Sequence, residues 1–354
     1  MTKNHNNFLN FAFHIAEKNL GKTKLNPSVG SVVVKNGEVI SSAITSLNGR
    51  PHSEFNALNN LKNCSGATLY TTLEPCTHKG KTPPCVSIII KKKIKKVYYA
   101  FEDPDLRTYK KAKKILNSNG IKAKLITNKK YGKFYKSYFL NKKFFIPFTS
   151  AKIAISKDYL SIHKKNKWIT NYRSRSVAHF LRNNHDCILS TSKSINLDDS
   201  LLNCRINGLN NYKPDLFIID LKLKLKKKLS LINLIKKRNT YLITYKKNVK
   251  KIKVFKNMGY KIILINQLEN KKDYMNLLKK IYKLGYSRML VETGLTFLNF
   301  LLKNKFINNL YIFKSSTKLG NRGKNNSNIQ ILKNISKKQI KINLNGDKLY
   351  KKEF

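Results

Sequence analysis

The stretch that decides the fold runs from residue 72 to residue 85 and reads Thr-Leu-Glu-Pro-Cys-Thr-His-Lys-Gly-Lys-Thr-Pro-Pro-Cys, with His-Ser-Glu upstream at 52–54. A catalytic zinc ion takes three protein ligands and leaves its fourth position for water. His52, Cys76 and Cys85 are ligands of the required types. Zinc lowers the pKa of its water from about 16 towards about 7. We therefore predict a zinc site in which Glu54 shuttles the proton of that water.

Each piece of this pattern has a simpler interpretation when taken alone. An isolated His-x-Glu is most often a helix surface, and an isolated Pro-Cys is most often a packing feature. A closed structural zinc site would need a fourth ligand, which His78 could supply, but it would leave Glu54 without a role. The joint order of His-x-Glu, Pro-Cys and a second Cys is that of the zinc-dependent deaminases.

The spacing of the two cysteines narrows the class. Nucleic-acid and cytidine deaminases usually have Cys-x-x-Cys, whereas eight residues separate Cys76 and Cys85. The run 72–85, together with Asn-Pro-Ser-Val-Gly at 26–30, closely resembles the deaminase half of the bifunctional riboflavin-biosynthesis deaminase/reductase family. The resemblance continues almost to the C-terminus. It implies an α/β protein with an N-terminal cytidine-deaminase-like α/β/α domain and a C-terminal dihydrofolate-reductase-like α/β domain.

Length and composition predict two globular domains, which we place at 1–146 and 147–354. The 354 residues are 41% hydrophobic, so each domain can bury a core. No apolar run approaches the roughly 18 residues that span a membrane, and we expect no secretory signal. Five cysteines, two of them assigned to the metal, suit a reducing cytoplasm better than a disulfide framework.

The formal net charge of +54 would ordinarily favour a nucleic-acid partner. The excess is spread along both halves, however, and only nine of the 72 basic residues are Arg. Lys, Asn and Ile share A/T-rich codons, so a mutational bias of the genome explains the composition. We predict no specific nucleic-acid partner and no membrane partner.

Apolar periodicity predicts alternating helices and strands in both halves. In the first half, helices are predicted at 8–20, from 52, from 85 and at 107–118, with strands at 29–34, 67–73, 97–101 and 121–126. In the second, strands are predicted at 151–155, 186–190, 215–220, 240–244, 260–265, 288–292 and 310–313, in a largely parallel sheet. The aromatic-rich stretch 129–149 is interpreted as a helix packing on the first domain rather than as an RNA-stacking surface.

The residues of the second domain alone indicate only an α/β domain. Glu-Thr-Gly at 292–294 ends a predicted strand before a helix and is a plausible anion or nucleotide site. The family resemblance implies that this half uses NADPH to reduce a ribosyl group to ribityl. It implies cofactor contacts at Ala154, Trp168, Ser194, Asp198 and Gly294, and substrate contacts at Asn166, Arg182, Leu202, Arg205 and Glu292. The two arginines suit a phosphate, which a planar guanidinium binds bidentately.

Departures from the family pattern lie mainly in this second half. Tyr159 stands where the family has a Gly after Ser-x-Asp, and Thr-Gly-Leu follows Glu292 where Gly-Gly-Pro or Ala-Gly-Pro is typical. One alternative is therefore a deaminase whose C-terminal half has lost reduction. A nucleic-acid deaminase or an RNA-binding protein is the other alternative.

The favoured prediction is a cytoplasmic, zinc-dependent and NADPH-dependent bifunctional enzyme. It would deaminate 2,5-diamino-6-(5-phosphoribosylamino)pyrimidin-4(3H)-one and then reduce the ribosyl group, giving 5-amino-6-(5-phosphoribitylamino)uracil. The only predicted partners are this small-molecule substrate and further copies of the chain in a homo-oligomer.

Overall fold

The computed structural model describes residues 2–127, 129–166, 168–209, 213–245 and 249–354. The chain divides into two compact units, Met1–Phe145 and Ile146–Phe354. Each unit has its own buried hydrophobic core. Within the described residues, no helix is long and apolar enough to cross a membrane.

The first unit is a five-stranded sheet covered by helices, in the strand order β2-β1-β3-β4-β5. Its helices are α1 (Thr2–Glu17), α2 (Ser53–Leu58), α3 (Cys85–Lys91), α4 (Lys111–Ser118) and α5 (Lys136–Phe144), and its strands are β1 (Gly30–Lys35), β2 (Glu38–Ile44), β3 (Thr68–Thr71), β4 (Lys96–Tyr99) and β5 (Lys122–Leu125). Strand β1 is antiparallel to both β2 and β3, whereas β3, β4 and β5 are parallel. Parallel strands place their carboxyl ends at one edge, where β3 leads into the Glu-Pro-Cys loop.

Helix α1 packs directly on the backbone of β1. Leu9, Ala12 and Phe13 are fully buried on one face of the helix. A Cβ at Gly30 would lie 1.9 Å from the carbonyl oxygen of Ala12, so only glycine permits this approach. Strands β1 and β2 form a hairpin whose turn residues Asn36 and Gly37 adopt positive φ values of 53° and 83°.

The aromatic-rich stretch packs on the first unit, as the helix interpretation expects. Tyr131, Tyr135 and Tyr138 are all less than a tenth exposed and belong to the same cluster as Phe13. The rings of Phe13 and Tyr131 are stacked with centroids 4.2 Å apart. These rings are used for packing and are not available to stack on bases.

The second unit is built on a nine-stranded sheet in the order β11-β10-β9-β8-β12-β6-β13-β16-β15. Its strands are β6 (Phe148–Ile155), β7 (Ile162–His163), β8 (Cys187–Thr191), β9 (Asp215–Ile219), β10 (Thr240–Tyr245), β11 (Lys261–Ile265), β12 (Arg288–Glu292), β13 (Asn309–Lys314), β14 (Gly323–Lys324), β15 (Lys338–Leu344) and β16 (Asp347–Glu353). Its helices are α6 (Tyr172–Asn183), α7 (Ser192–Asp198), α8 (Val249–Asn257), α9 (Lys271–Lys283), α10 (Leu295–Lys303) and α11 (Gln330–Asn334). All seven strands predicted for this half are present, with their ends shifted by a few residues.

This sheet is parallel from β11 to β13 and antiparallel only where β16 pairs with β13 and β15. Its two faces bury separate clusters: Met289 and Val291 of β12 face one, and Leu290 between them faces the other. The central strands are therefore apolar on both sides, as in sheets covered by helices on both faces. The carboxyl ends of β6, β8 and β12 lie side by side and bring the polar residues of this unit together.

Candidate zinc centre and reductase site

The three predicted zinc ligands lie together at one edge of the first sheet. His52 is the residue immediately before α2, Cys76 lies in the loop that follows β3, and Cys85 is the first residue of α3. Nδ1 of His52 lies 3.6 Å from Sγ of Cys76 and 3.4 Å from Sγ of Cys85. Among the described residues, these three form the one cluster of potential metal ligands, with their donor atoms within 4.8 Å of one another.

These distances fit a tetrahedral zinc ion. At ordinary Zn–S and Zn–N bond lengths, a tetrahedral angle separates a sulfur and a nitrogen ligand by about 3.6 Å. Two thiolates, one neutral imidazole and Zn²⁺ carry no net charge, which suits binding of a neutral pyrimidine ring. His78 is directed elsewhere, since its Nδ1 lies 3.2 Å from Oγ1 of Thr108. The described residues therefore do not form a closed zinc site with four protein ligands.

The two cysteines affect each other's pKa. A hydrogen bond with Cys85 is the main cause that lowers the pKa of the Cys76 thiol to about 4, with further contributions from His52 and from the backbone N–H of Cys85. The same hydrogen bond, together with burial, raises the pKa of Cys85 well above its usual range. A zinc ion bound here would favour the thiolate form of both cysteines.

Glu54 is almost completely buried, with an exposed fraction of 3%. It lies in the first turn of α2, two residues after His52. Burial raises the pKa of its carboxyl group, and a hydrogen bond from Ser53 acts in the opposite direction. A carboxyl group with a raised pKa next to a metal site is suited to accept a proton and then return it.

Glu74 holds the neighbouring loop against the zinc-binding segment. Its Oε2 accepts hydrogen bonds from the backbone N–H groups of Asp103 and Lys110, each at 3.1 Å. Its Oε1 accepts one from the N–H of Ala112 at 3.0 Å. No role was predicted for this glutamate, although it belongs to the Glu-Pro-Cys motif. Three donors in the backbone explain why a carboxylate is needed there.

In the second unit, Arg182 and Glu292 form a buried ion pair at the end of β12. Nε and Nη2 of Arg182 donate to the two carboxylate oxygens of Glu292 at 2.6 and 2.9 Å. Nζ of Lys152 lies 3.5 Å from Oε2 of Glu292. Burial tends to raise the pKa of Glu292, but the charges of Arg182 and Lys152 outweigh it and lower the pKa to about 2.

We predicted that the guanidinium of Arg182 binds a phosphate through two hydrogen bonds. In the structure, its Nε and Nη2 instead bind the carboxylate of Glu292. The third arm of Arg182, Nη1, donates to the carbonyl oxygen of Asn203 at 3.0 Å. Arg205 lies nearby, and its Nη1 donates to Oδ1 of Asn203 at 2.6 Å. Asn203 and His179, whose Nδ1 lies 2.9 Å from the same carbonyl, were missed by sequence analysis. The position of His179 three residues before Arg182 on α6 was the available signal.

The predicted cofactor residues are only partly brought together. Oγ of Ser194 accepts a hydrogen bond from the N–H of Gly294 at 3.2 Å, which joins the start of α7 to the start of α10. Trp168 is half exposed, and the guanidinium of Arg175 lies 4.6 Å from the centre of its ring. Other predicted contacts differ in environment: Ala154 lies within β6 and is partly buried, Asp198 ends α7, Leu202 is buried with a φ of 46°, and Asn166 is exposed.

The turn between β12 and α10 contains Gly294, one of the predicted cofactor contacts. A Cβ at Gly294 would lie 3.2 Å from Nδ2 of Asn326, so the side chain of Asn326 packs against this turn. Gly294 also precedes the first turn of α10, where unpaired N–H groups favour an anion.

Comparisons with known proteins match both halves of the chain. Residues 2–101 match the family described as the cytidine and deoxycytidylate deaminase zinc-binding region, and residues 150–344 match the RibD C-terminal domain. The riboflavin biosynthesis protein RibD of Aquifex aeolicus is 32% identical over 316 residues, which cover 87% of this chain and 85% of that protein. The RibD of Buchnera aphidicola subsp. Baizongia pistaciae is 31% identical over 332 residues, which cover 90% and 88%.

Solved structures share the fold over nearly the whole chain. RibD of Acinetobacter baumannii has a TM-score of 0.85 at 24% identity and covers 99% of each chain. The deaminase/reductase of Thermotoga maritima has a TM-score of 0.81 at 24% identity and covers 99% of this chain and 98% of that one.

The fold and the His-Cys-Cys triad define the class, a zinc-dependent deaminase joined to a dihydrofolate-reductase-like reductase domain. Such a reductase domain implies a nicotinamide cofactor. The chain belongs to the RibD family of riboflavin biosynthesis and combines a pyrimidine deaminase with a pyrimidine reductase.

Proposed function

We propose that residues 1–146 hydrolytically deaminate 2,5-diamino-6-(5-phosphoribosylamino)pyrimidin-4(3H)-one to the corresponding uracil and ammonia. The observation that carries this proposal is the buried Glu54 beside the tetrahedrally spaced His52, Cys76 and Cys85. The similar Thermotoga maritima protein is described as a diaminohydroxyphosphoribosylaminopyrimidine deaminase, which supports this substrate.

In the proposed mechanism, Glu54 carries the protons of the deamination. When bound, the zinc ion supplies a Lewis acid that lowers the pKa of water. Glu54 takes a proton from the attacking water and passes it to the ring nitrogen. It then takes the second proton from the new hydroxyl group on the amino-substituted carbon and delivers it to the departing amino group, so that this carbon becomes a carbonyl group and ammonia leaves. Burial of Glu54 keeps bulk water from competing for these protons.

We propose that residues 147–354 then reduce the ribosyl group with NADPH. Hydride transfer to C1 of the opened ribose, with uptake of one proton from the solvent, would convert ribosyl to ribityl and give 5-amino-6-(5-phosphoribitylamino)uracil. The proposed cofactor contacts are Ala154, Trp168, Ser194, Asp198 and Gly294, and the proposed substrate contacts are Asn166, Arg182, Leu202, Arg205 and Glu292. The role of these residues is to orient the nicotinamide against the reacting carbon.

The charge of the second site supports an anionic substrate. Arg182, Lys152 and Arg205 bring three positive charges near the single carboxylate of Glu292. Because the ion pair with Glu292 occupies the fork of Arg182, Arg205 is the better placed of the two arginines to receive a phosphate.

We further propose a cytoplasmic homo-oligomer. The structure forms no disulfide bond among Cys64, Cys76, Cys85, Cys187 and Cys204, which suits a reducing compartment. Self-association is supported by the family resemblance.

The experiment that tests this assignment is the substitution Glu54→Gln in the full-length, zinc-loaded protein. It keeps the size of the side chain but removes its ability to take up a proton. We expect ammonia release to be abolished, while NADPH-dependent reduction of the already deaminated substrate continues at the wild-type rate. Ammonia release at the wild-type rate by this variant would contradict the role of Glu54.

A further inference from the structure

The carboxylate of Glu54 is held from behind by two buried serines. Oγ of Ser53 donates a hydrogen bond to Oε2 of Glu54 at 3.1 Å. Oγ of Ser31, on β1, lies 2.8 Å from Oγ of Ser53 and 3.3 Å from Oγ1 of Thr71 on β3. Ser31, Ser53 and Thr71 have no exposed surface at all. A chain of hydroxyl groups thus runs from the sheet to one oxygen of Glu54.

Local structure does not account for these hydroxyl groups. The residue just before a helix is the one whose side chain usually accepts a hydrogen bond from the backbone of the first turn. In α2 that residue is His52, so Ser53, the first residue of the helix, has no capping role and donates to the side chain that follows it. Ser28 shows the ordinary alternative in the same unit, since its buried hydroxyl donates to the carbonyl oxygen of Ala16 at 2.7 Å.

We propose that Ser53 and Ser31 are positioning residues that fix the carboxylate of Glu54 for proton transfer. The hydrogen bond from Ser53 holds Oε2 and limits the rotation of the carboxylate. Ser31 ties Ser53 to the sheet and limits its rotation. This inference rests on the proposed role of Glu54 as the proton carrier, because a carboxylate that transfers a proton needs a fixed distance and orientation.

The test compares Ser53→Ala and Ser31→Ala in the zinc-loaded, full-length protein. Loss of a hydrogen bond to a charged group lowers the rate of ammonia release by about 10- to 100-fold in Ser53→Ala. Ser31→Ala has a smaller effect, because Ser53 still reaches Glu54. Both variants keep the wild-type KM, the zinc content and the reduction of deaminated substrate. The double variant is no slower than Ser53→Ala, since Ser31 acts through Ser53.

Ser28→Ala is the matched control, because it removes a buried serine hydroxyl of the same unit that does not contact Glu54. It should leave kcat unchanged. A wild-type kcat in both Ser53→Ala and Ser31→Ala would overturn the inference. The inference would also be overturned if zinc content and kcat fell together while KM rose, because a merely structural role predicts that result.

The outcome for Glu54→Gln separates this inference from the proposed function. If Glu54→Gln is inactive while both serine variants release ammonia at the wild-type rate, only the role of the serines fails. If Glu54→Gln retains full ammonia release, the role of Glu54 fails, and that of the serines fails with it.

Discussion

At the scale of single residues, a few buried polar side chains determine what each unit can do. In the first unit, two sulfur atoms and one imidazole nitrogen face one another at distances that match a tetrahedral metal site. In the second unit, the charges of Glu292, Arg182 and Lys152 compensate one another inside the protein. Buried groups of this kind are costly when unpaired. A single substitution should therefore affect one activity and leave the other in place.

Replacement of Cys85 tests the metal site most simply. Cys85→Ser puts a weak oxygen ligand in place of a thiolate, so we expect loss of bound zinc and a decrease in ammonia release of about 100-fold or more. Zinc is measured by atomic absorption, and reduction of deaminated substrate reports on the second unit. Cys64→Ser is the matched control, since Cys64 is a buried cysteine of the same unit that lies outside the cluster. Equal zinc loss in both variants would contradict the assignment.

The buried His185 predicts how stability depends on pH. Burial is the main cause that lowers its pKa to about 3, from an ordinary value of 6.5. The folded protein holds this imidazole neutral, whereas the unfolded chain binds a proton below pH 6.5. The free energy of unfolding should therefore decrease as the pH falls below 6.5, by about 1.4 kcal/mol per pH unit from this group.

The slope of the free energy of unfolding against pH is measured by chemical denaturation over a window of about two pH units, from about pH 4.5 to about pH 6.5. The fluorescence of Trp168, the one tryptophan of the sequence, reports on the second unit. In His185→Asn, which can still donate to the carbonyl oxygen of Leu181, the slope should decrease. His163→Asn, which changes a half-buried histidine, serves as control. An unchanged slope in His185→Asn would show that another group titrates.

At the scale of elements, helix ends show how this Lys-rich sequence forms ordinary structures at some cost. Helix α3 ends in a Schellman motif: the N–H of Lys93 donates to Ile90 and that of Ile94 to Ile89. This motif needs a residue in the left-handed conformation, and Lys93 adopts that conformation with a φ of 52°. Lys305 has the same place after α10, with a φ of 58°.

Replacement of Lys93 by glycine should therefore stabilise the first unit. Glycine adopts a positive φ without the steric penalty of a Cβ, and we expect Lys93→Gly to raise the free energy of unfolding by about 0.5–1 kcal/mol. Lys91→Gly, two residues earlier within α3, should lower it by a similar amount. Denaturant titration, with loss of deaminase activity marking the first unit, measures both. Destabilisation by Lys93→Gly would contradict this account of the helix end.

Most elements were predictable because apolar periodicity survives the excess of lysine. The terminal hairpin of β15 and β16 was missed, although Ile340, Ile342 and Leu344 alternate with polar residues. Its Asn345-Gly346 turn has positive φ values similar to those of Asn36-Gly37, and Asn-Gly is the usual hairpin signal, so the signal was present in the sequence. The conformation of Tyr159 was not predictable. This residue has a φ of 66°, a value that favours glycine, and it stands where the family has a glycine. Nζ of Lys314 lies 3.9 Å from the centre of the Tyr159 ring, and this contact helps to hold Tyr159 in place.

At the scale of the whole molecule, the two sites differ in how far sequence alone could define them. The zinc ligands were predictable because metal chemistry restricts the residue types and their spacing. The second site is assembled from α6, β6 and β12, which are far apart in the sequence, and from residues with many other uses. Only the family resemblance could single them out. The pairing of Arg182 with Glu292 depends on where β12 ends, and it therefore required the structure.

The central claim, that one chain carries out both reactions, is tested most directly by one assay. Purified, zinc-loaded protein is incubated with the diaminopyrimidine ribosyl phosphate and NADPH, and ammonia release and NADPH oxidation are followed together. We expect one ammonia for every NADPH oxidised, with ammonia appearing first. Ammonia without NADPH oxidation would mean that the second unit no longer reduces this substrate, and the absence of both signals would contradict the account as a whole.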